Sequence, residues 1–491
     1  MNSYDYYKKE GFIVIASEIV FKYLSKFFQS RKISDIADTT SGGTPNRNRK
    51  DYFAGNIPWI KSGELNNGLI TCCEEYISEE GLKNSSAKLY PKGTLVLALY
   101  GATVGKVGIL DFESSSNQAV CAIFENKDMV LKEYLFWFFR QKRKDYIEQS
   151  FGGAQPNISQ KVVRDTLIPL PDMEIQMKIV DFLNKLYHEN FIEENFIYPQ
   201  IVKTIKKTSN VWHRMEYILE NINKQINYIK HFRQNILQEA VQGKLVPQDP
   251  NDEPASVLLE RIKEEKERLI KEGKIKKEKP LPPISEDEIP YELPKGWEWV
   301  RLGEIAIINP RNDIDDDVEV SFIPMKLIED GYSNKHSSEA KKWRDVKSGF
   351  THFQEGDVVI AKITPCFQNR KSAIMKNLIN GYGAGTTELY VVRNYANTVL
   401  PEYLLALFKT EAFIKGGVAT YTGTAGQQRV KKDYIENLPF PLSPLNEQKR
   451  IVQKVDQLMA LCDELEKNIE QSKKESELLM QSVLQEAFKE A

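Results

Sequence analysis

The 491-residue sequence contains little cysteine and histidine, five residues of each. The cysteines are Cys72, Cys73, Cys121, Cys366 and Cys462. They are odd in number and include no C-x-x-C pair, which argues against a disulfide framework and a zinc site and fits a reducing cytoplasm. The histidines show no metal-ligand spacing, so no metal site is expected.

Long apolar runs and an excess of either charge are also missing. No stretch of about 18 apolar residues occurs, which predicts no membrane span. Residues 1–10 are polar and contain no signal-peptide core, so we expect a cytoplasmic protein. The formal net charge of −2 gives no overall sign of nucleic-acid binding. A DNA-binding surface would have to be local, or completed by partner chains.

Motifs of nucleotide-binding and catalytic sites are absent or incomplete. Residues 101–107 resemble a phosphate-binding loop but lack its fourth intervening residue and the Ser or Thr that binds magnesium. Residues 56–59 and 309–311 match only part of the Asn-Pro-Pro-aromatic motif of amino-methyltransferases. The acidic positions 172 and 264–265 have the residue types of a metal nuclease, but the sequence gives no reason for them to converge. We expect no catalytic residue, no bound cofactor and no metal in this chain.

One long sequence phrase occurs twice. Residues 152–180 contain a Gly/Gln turn, a proline-rich segment and a helix start with glutamine, and residues 423–452 repeat that order. An apolar helix precedes each copy, at 133–139 and at 402–408. Solenoid repeats are only a few dozen residues long. This much longer period predicts two pseudo-equivalent globular domains, each followed by a long helix.

Both long helices are predicted to have a coiled-coil seam, because apolar residues recur at alternating spacings of three and four. The first seam consists of Trp212, Met215, Leu219, Ile222, Ile226, Ile229, Arg233, Ile236 and Ala240. The second consists of Ile451, Val455, Leu458, Cys462, Leu465, Ile469, Ser472, Ser476, Leu479 and Val483. A helix over residues 444–488 would be roughly 65 Å long. Antiparallel packing of the two helices would bury both stripes, and a bundle with other chains is the alternative.

The remaining segments predict an α+β fold with a charged connector. Residues 95–100 and 357–362 are short apolar runs typical of buried strands. In the connector, residues 260–279 predict a solvated helix ahead of a proline-rich segment. Gly243 is placed to end the first long helix, and Ser443 with Pro444 to begin the second.

Taken together, these features resemble the specificity (S) subunits of Type I DNA restriction-modification systems. The resemblance covers essentially the whole chain and rests on the order of the duplicated junctions, with a helix start at 447–452 and a helix end at 238–245. Residues 101–109 resemble a loop of many first target-recognition domains, and residues 364–388 resemble another recognition-domain subtype. Residues 1–30 depart from the family pattern because they lack the Trp-x-Trp opening that begins the second domain.

The resemblance implies two pseudo-equivalent mixed α/β target-recognition domains separated by two long antiparallel coiled-coil helices. The expected boundaries are 1–171 for the first domain, 172–246 for the central helical spacer, 247–295 for the connector, 296–442 for the second domain and 443–491 for the distal helix. Each domain would read one half of a split double-stranded DNA sequence, with the helices as a ruler. Two methylation (M) subunits would supply S-adenosylmethionine for adenine-N6 methylation, and restriction (R) subunits would supply ATP and Mg2+ chemistry.

Candidate DNA-binding residues of the first domain lie on three predicted loops. The loop after the strand at 95–100 offers a lysine for a phosphate and side chains for bases, with a tight β-turn as the alternative. The glutamine turn offers amides that can bind adenine bidentately, or it orders the junction with the helix. The third loop follows residues 57–60 and is otherwise a solvated loop. The candidates are Lys61, Ser62, Tyr100, Thr103, Lys106, Gln155 and Asn157.

Candidates in the second domain lie in a polar, non-repeated stretch after the strand at 357–362 and on the second glutamine turn. A repeated feature is more often scaffold than reader, because the two halves should read different bases. The candidates are Lys362, Thr364, Gln368, Asn369, Arg370, Gln427, Gln428, Arg429 and Lys431. The basic clusters 142–144 and 431–432 suit phosphate contacts or are solvated faces.

The sequence therefore favours a DNA-reading subunit that is not an enzyme. The alternatives are a single-chain methyltransferase-nuclease and a coiled-coil scaffold with no DNA role. Arg233, Ser472 and Ser476 are polar seam positions, which either fix the helix register or are partly exposed.

Overall fold

A computed structural model describes residues 10–150, 157–277, 279–424 and 426–490. The chain divides into two compact units. The first unit is Met1–Ile222 with Gln471–Ala491, and the second is Asn223–Glu470. Each unit contains one mixed α/β domain and one segment of each long helix.

The first unit is built from short strands and helices. Its strands are β1 (Ser30–Lys32), β2 (Ala37–Ser41), β3 (Ile57–Ile60), β4 (Gly68–Ile70), β5 (Glu75–Ile77), β6 (Leu95–Ala98), β7 (Val107–Leu110), β8 (Ser115–Ser116), β9 (Val120–Glu125) and β10 (Leu167–Pro169). Its helices are α1 (Phe12–Phe27), α2 (Ile33–Ile36), α3 (Glu79–Lys83), α4 (Lys132–Glu148), α5 (Gln160–Asp165) and α6 (Met173–Glu189). The long helix α7 (Pro199–Val241) begins in this unit and ends in the second.

The second unit repeats that composition. Its strands are β11 (Glu298–Arg301), β12 (Ala306–Ile308), β13 (Glu319–Ile323), β14 (Glu339–Lys342), β15 (Thr351–Gln354), β16 (Val358–Ala361), β17 (Ser372–Ile374), β18 (Tyr382–Gly385), β19 (Leu389–Asn394) and β20 (Pro439–Leu442). Its helices are α8 (Ala255–Lys271), α9 (Leu302–Ile305), α10 (Trp343–Val346), α11 (Pro401–Phe408), α12 (Glu411–Ala419) and α13 (Lys432–Glu436). The long helix α14 (Leu445–Glu490) begins here and ends in the first unit. Single turns of 3-10 helix occur at Lys50–Phe53, Ser62–Glu64, Gly101–Thr103, Glu286–Glu288, Met325–Leu327 and Ile379–Gly381.

The two domains share most of one sheet topology, with β4 added to a sheet of the first domain and β15 to a sheet of the second. The largest sheet of the first has the order β2-β9-β6-β7-β4, and its counterpart in the second is β12-β19-β16-β17. A second sheet is β5-β3-β8 in the first domain and β14-β13-β18-β15 in the other, with the parallel pairs β3–β8 and β13–β18 at equivalent positions. The pair β1–β10 corresponds to β11–β20. The predicted duplication of an α+β domain is therefore confirmed.

The central strands β6 and β16 are the apolar runs predicted from the sequence. All four residues of each strand are buried, and in β16 the alternate side chains lie in two core clusters, Val358 and Ile360 in one and Val359 and Ala361 in the other. A strand whose two faces are both covered has a continuous run of apolar residues, whereas a strand with one face in solvent alternates apolar and polar residues. β6 ends at Ala98, before the predicted end at residue 100, because the chain turns there into the 3-10 helix Gly101–Thr103.

Two glutamines of the duplicated phrase join each domain to the helix that follows it. The amide of Gln176 donates to the carbonyls of Met129 (3.0 Å) and Pro171 (2.9 Å), and its oxygen accepts from the Leu131 N–H (2.9 Å). The amide of Gln448 bonds in the same way to Thr398 (3.2 Å), Ser443 (2.9 Å) and the Leu400 N–H (2.9 Å). The repeated glutamines are buried and have the same structural role in both copies of the phrase.

Helices α7 and α14 pack against each other in each unit. In the first unit Lys207, near the start of α7, bonds to Glu486 (3.0 Å) and Glu490 (3.2 Å) at the end of α14. In the second unit Gln248, just beyond the end of α7, bonds to Glu447 at the start of α14 (2.8 Å). The two helices are therefore antiparallel, as predicted.

The predicted seam of α7 is confirmed, whereas that of α14 is wrong at several positions from Leu465 onwards. All the predicted α7 positions are buried except Ile226, which is half-buried. In α14, the predicted positions Leu465, Ser472 and Leu479 are exposed, and in the last turns Met480, Leu484 and Ala487 are buried in place of the predicted positions. The least exposed positions of α14 recur about every 3.6 residues, the period of a straight helix, whereas a heptad assumes 3.5. That difference accumulates to one position over the length of the helix.

The polar seam residues have different outcomes. Arg233 is buried, and its guanidinium bonds to Asp463 (2.6 Å) and Glu466 (3.0 Å) of α14. Ser472 is exposed and Ser476 is half-buried. Arg233 therefore contributes to the helix register in the second unit, and the serines are partly exposed.

The connector differs from its prediction. Its helix α8 begins and ends earlier than residues 260–279, and it is not fully solvated. Leu258 and Ile262 are buried in the core of the second unit, because α8 places its apolar residues on one face. At the end of α7, Gly243 has φ +68°, and a Cβ there would lie 2.5 Å from Pro294. Only glycine fits both the left-handed conformation and the close approach.

Candidate nucleic-acid interface

In both domains, the end of the central strand meets the chain returning from the glutamine turn. The N–H of Ile158 donates to the Leu99 carbonyl at 2.9 Å, and Tyr100 pairs with Asn157 in an isolated antiparallel bridge. In the second domain the N–H of Val430 donates to the Lys362 carbonyl at 2.9 Å. The structure thus brings together loops that lie more than fifty residues apart in the sequence, at one equivalent position of each domain.

The first-domain loop after β6 presents Tyr100 with 44% of its surface exposed. Thr103 is half-buried, and its hydroxyl donates to the Tyr100 carbonyl at 3.3 Å. Lys106 is half-buried and Asn157 is exposed. Gln155 lies outside the described residues. Tyr100 and Asn157 therefore form an exposed pair of an aromatic ring and an amide, both able to contact a base.

Arg143 stabilises this loop through hydrogen bonds to its main chain. Its sequence position in a basic cluster did not indicate this role. Its guanidinium donates to the carbonyls of Val104 (3.1 Å) and Ala102 (3.2 Å) and forms an ion pair with Glu10. Gly105 has φ +73°, and a Cβ there would lie 2.9 Å from Arg143. The suggested phosphate contact is wrong for Arg143, because its side chain is only 4% exposed.

Lys61 and Ser62 lie beside the same loop. The 3-10 helix that begins at Ser62 contacts the one at Gly101–Thr103. Lys61 bonds to Glu74 (2.7 Å) and Glu75 (3.1 Å), and these hydrogen bonds raise the pKa of its ammonium group. Lys61 therefore stays charged, with its charge shared by two carboxylates of its own domain.

In the second domain, Thr364 and Gln428 link the two loops. The Thr364 N–H donates to the Gln428 carbonyl (2.9 Å), and the Gln428 N–H donates to the Thr364 hydroxyl (3.0 Å). The ammonium of Lys362 lies over the Tyr390 ring, 5.3 Å from its centroid. These three candidates form the base of the loop.

The exposed candidates of the second interface are three amides and one lysine. Gln368, Asn369, Gln427 and Lys431 are all exposed. Amide groups can pair with an adenine edge and a lysine can contact a phosphate. These four side chains are placed to reach a ligand without breaking an ion pair that the structure shows.

Both candidate arginines already have a carboxylate partner. Arg429 bonds to Glu388 through Nε (2.9 Å) and Nη2 (2.8 Å), and this guanidinium lowers the pKa of Glu388. Arg370 forms an ion pair with Glu411. The sequence did not reveal these partners, because Glu388 and Glu411 lie about forty residues from the arginines that they bind. To contact DNA, either arginine would have to leave its carboxylate partner or bind the carboxylate and the DNA at the same time.

Within the described ranges, no group of three or more His, Cys, Asp or Glu side chains is arranged to hold a metal ion. No helix in that part of the chain is long and apolar enough to cross a membrane.

The sequence profile of the Type I restriction modification DNA specificity domain matches residues 26–201 and, a second time, residues 294–473. The chain belongs to this family. Each match of the specificity-domain profile contains one of the two candidate interfaces.

Two relatives of this specificity-domain protein are specificity subunits from Escherichia coli. The Type I restriction enzyme EcoAI specificity subunit is 57% identical over 239 residues, which are 48% of this chain and 41% of that protein. The EcoEI specificity subunit is 53% identical over 239 residues, 48% of this chain and 40% of its own. The aligned parts therefore span less than half of either relative.

A solved structure shares the fold over nearly the full length. It concerns the complex assembly and conformational transition of the type I R-M system, and one of its chains matches with a TM-score of 0.54 and 16% identity. The match covers 94% of this chain and 97% of that chain. It supports the two-domain specificity fold.

Proposed function

We propose that this chain is the DNA specificity subunit of a Type I restriction-modification complex in the cytoplasm, and that each domain reads one half of a bipartite target. The observation that carries the proposal is the contrast between buried repeats and exposed differences. Gln176 and Gln448 make equivalent bonds, whereas the equivalent exposed loops present Tyr100 and Asn157 in one domain and Gln368 and Asn369 in the other. Two copies of one scaffold with different exposed side chains suit the reading of two different half-sites.

The exposed side chains are of the kinds that read base edges and contact phosphates. An amide of Asn or Gln that binds an adenine bidentately supplies about 1–3 kcal/mol of discrimination. Lys106 and Lys431 would contact phosphates, which fix the register on the duplex without reading its sequence. Since such contacts release counterions, the affinity should fall steeply with salt.

The long helices would act as the ruler between the half-sites. α7 has 43 residues and α14 has 46, and each contributes a segment to both units. Half-sites read from one face of the duplex lie about one helical turn apart, on the order of 34–36 Å. A continuous helix defines such a separation, whereas a flexible linker would leave it open.

Catalysis would be supplied by partner subunits. Two methylation subunits would bring S-adenosylmethionine for adenine-N6 methylation, and restriction subunits would bring ATP and Mg2+. The long helices expose apolar and aromatic residues that suit contact with other chains, namely Tyr217, Tyr228, Phe232, Leu478 and Leu479. Their exposure supports assembly, because exposed apolar surface of this kind often marks protein contacts.

A domain exchange tests this function. We would replace residues 31–165 with another recognition domain, assemble the complex with its methylation subunits, and sequence the methylated sites. One half-site should change and the other should stay the same. A change in both halves would refute domain independence. Photo-crosslinking of labelled S-adenosylmethionine to this chain, rather than to its partners, would favour the single-chain enzyme instead.

A further inference from the structure

Tyr332 of the second domain lies between helix α7 and the loop that follows β16. The guanidinium of Arg233 in α7 is 5.5 Å from the centroid of the Tyr332 ring, and the guanidinium of Arg370 in the loop is 5.6 Å from it. Both distances are within the range of a cation–π interaction. One ring thus contacts a cation of the coiled coil and a cation of the recognition domain.

Gln234, the next residue of α7, makes a second set of contacts with the same domain. Its amide donates to the Tyr332 hydroxyl (2.7 Å) and to the Lys409 carbonyl (3.2 Å). Its oxygen accepts from the Glu411 N–H at 2.6 Å. A single side chain of the helix therefore bonds to three residues of the recognition domain.

Arg370 and Lys409 connect these contacts to the loop through further hydrogen bonds. Arg370 donates from Nε to the Lys409 carbonyl at 3.2 Å and pairs with Glu411. The ammonium of Lys409 donates to the carbonyls of Gly331 (2.8 Å), Ser333 (2.7 Å) and Arg370 (3.0 Å). The Gly331 N–H in turn donates to the Asn369 carbonyl at 2.7 Å. The exposed candidate Asn369 is thus two hydrogen bonds away from the ammonium of Lys409.

A different contact holds the end of the connector, where it enters the second domain, further along the same helix. The Tyr291 hydroxyl donates to the Val241 carbonyl at 2.9 Å, at the end of α7. Gln234 and Val241 are separated by roughly 10 Å along the helix axis. One attachment allows a domain to pivot on a helix, whereas two attachments at different heights fix its tilt.

We propose that Arg233, Gln234, Tyr332, Arg370, Lys409 and Glu411, here called the Tyr332 cluster, orient the second recognition loop on the coiled coil and so determine which spacer lengths the protein accepts. The inference rests on the proposed function, and its residues act by positioning rather than by contact with bases. Arg233 also pairs with Asp463 and Glu466 of α14. The cluster therefore joins both helices to the loop.

The test is a selection from duplexes in which both half-sites and the spacer length vary, with the full chain assembled with its methylation subunits. Wild type is expected to favour one spacer over its one-base-pair neighbours by about tenfold or more, which corresponds to about 1.4 kcal/mol. Tyr332→Leu removes the ring and should bring neighbouring spacers within a few-fold of the preferred one, with unchanged base preferences in the first half-site. Tyr332→Phe keeps the ring and should retain the wild-type spacer preference.

Three results would overturn the inference. The first is a folded Tyr332→Leu variant with the wild-type spacer preference. The second is an equal loss of selectivity in both half-sites, which would make the role of the cluster merely structural. If Tyr332→Leu does not fold, Gln234→Leu must show the spacer shift, and a wild-type preference there is the third. A wild-type selection that yields no bipartite site would instead refute the proposed function itself.

Discussion

Arg233 of α7 donates to the carboxylate of Asp463 on α14 at 2.6 Å, although the arginine is 4% exposed and the aspartate 74% exposed. The charge inside the seam is thus balanced by a carboxylate at its edge. A buried cation with such a partner is tolerated, whereas a buried charge without one is costly.

Substitution of Arg233 should depend strongly on the charge introduced. Arg233→Met should shift the unfolding temperature by only a few degrees, because methionine fills similar volume and the remaining carboxylates are solvated. Arg233→Asp would place a third carboxylate beside Asp463 and Glu466 and should cost about 3–5 kcal/mol. Thermal unfolding of both variants checks this, and equal effects would contradict it.

Lys409 should make stability depend on pH. Burial lowers its pKa from 10.5 to about 7 in the folded chain. Between these values the unfolded chain binds more protons at Lys409, so the contribution of Lys409 to the free energy of unfolding should rise as pH increases from about 7 towards 10.5. Lys409→Met abolishes this contribution, and urea unfolding at several pH values measures the difference from wild type. The exposed Lys415→Met serves as control and should follow the wild-type pH profile.

Loss of the Gln448 amide should destabilise the second unit. Gln448→Leu leaves the carbonyls of Thr398 and Ser443 and the Leu400 N–H without that partner in a buried site. Since unsatisfied buried groups cost about 1–3 kcal/mol each, we expect a loss of at least about 2 kcal/mol in urea unfolding. Gln453→Leu, exposed on the same helix, is the matched control. Similar losses in the two variants would argue against a scaffold role for Gln448.

Release of Arg429 should strengthen non-specific DNA binding. Glu388→Gln removes the carboxylate that holds the guanidinium, which then becomes available to a phosphate. We expect the slope of log K against the logarithm of the salt concentration to become steeper, by the amount that corresponds to about one additional phosphate contact. A salt titration of duplex binding measures the slope, with Glu260→Gln on α8 as the control for charge alone. An unchanged slope would mean that Arg429 remains a scaffold residue without its partner.

A change in α7 should alter the accepted spacer. Four residues inserted within 216–240 lengthen that helix by about 6 Å and shift its register against α14. The preferred spacer should change, or binding should be lost. Four residues inserted in the exposed turn at 347–349 should leave the spacer as it was. Unchanged spacing and affinity after the α7 insertion would refute the ruler.

The sequence predicted the elements whose signal is local or repeated. The central strands, the antiparallel helices and the duplicated domain followed from apolar runs and spacing. The end of the α14 seam was misplaced because the heptad period differs from that of a straight helix. The core-facing residues Leu258 and Ile262 were missed because the charges around them dominate the sequence of α8.

The interface was less predictable, because its geometry depends on distant partners. The bond between Thr364 and Gln428 joins residues sixty-four positions apart, and the pair of Arg143 and Glu10 joins residues separated by 133. No local pattern indicates such pairs. Arg143 and Arg370 therefore looked like free cations in the sequence, although both are bound within the protein.

The junction formed by Gln176 and Gln448 has a consequence for how such a protein can change. Every partner of these two amides is a main-chain carbonyl or N–H, groups that almost all residue types provide. These hydrogen bonds therefore place almost no requirement on the side chains of the domain segments to which the glutamines bind. Under the proposed function, an unrelated recognition domain of similar shape could replace the present one without redesign of the helices, and new sequence preferences would then arise by domain exchange rather than by gradual substitution.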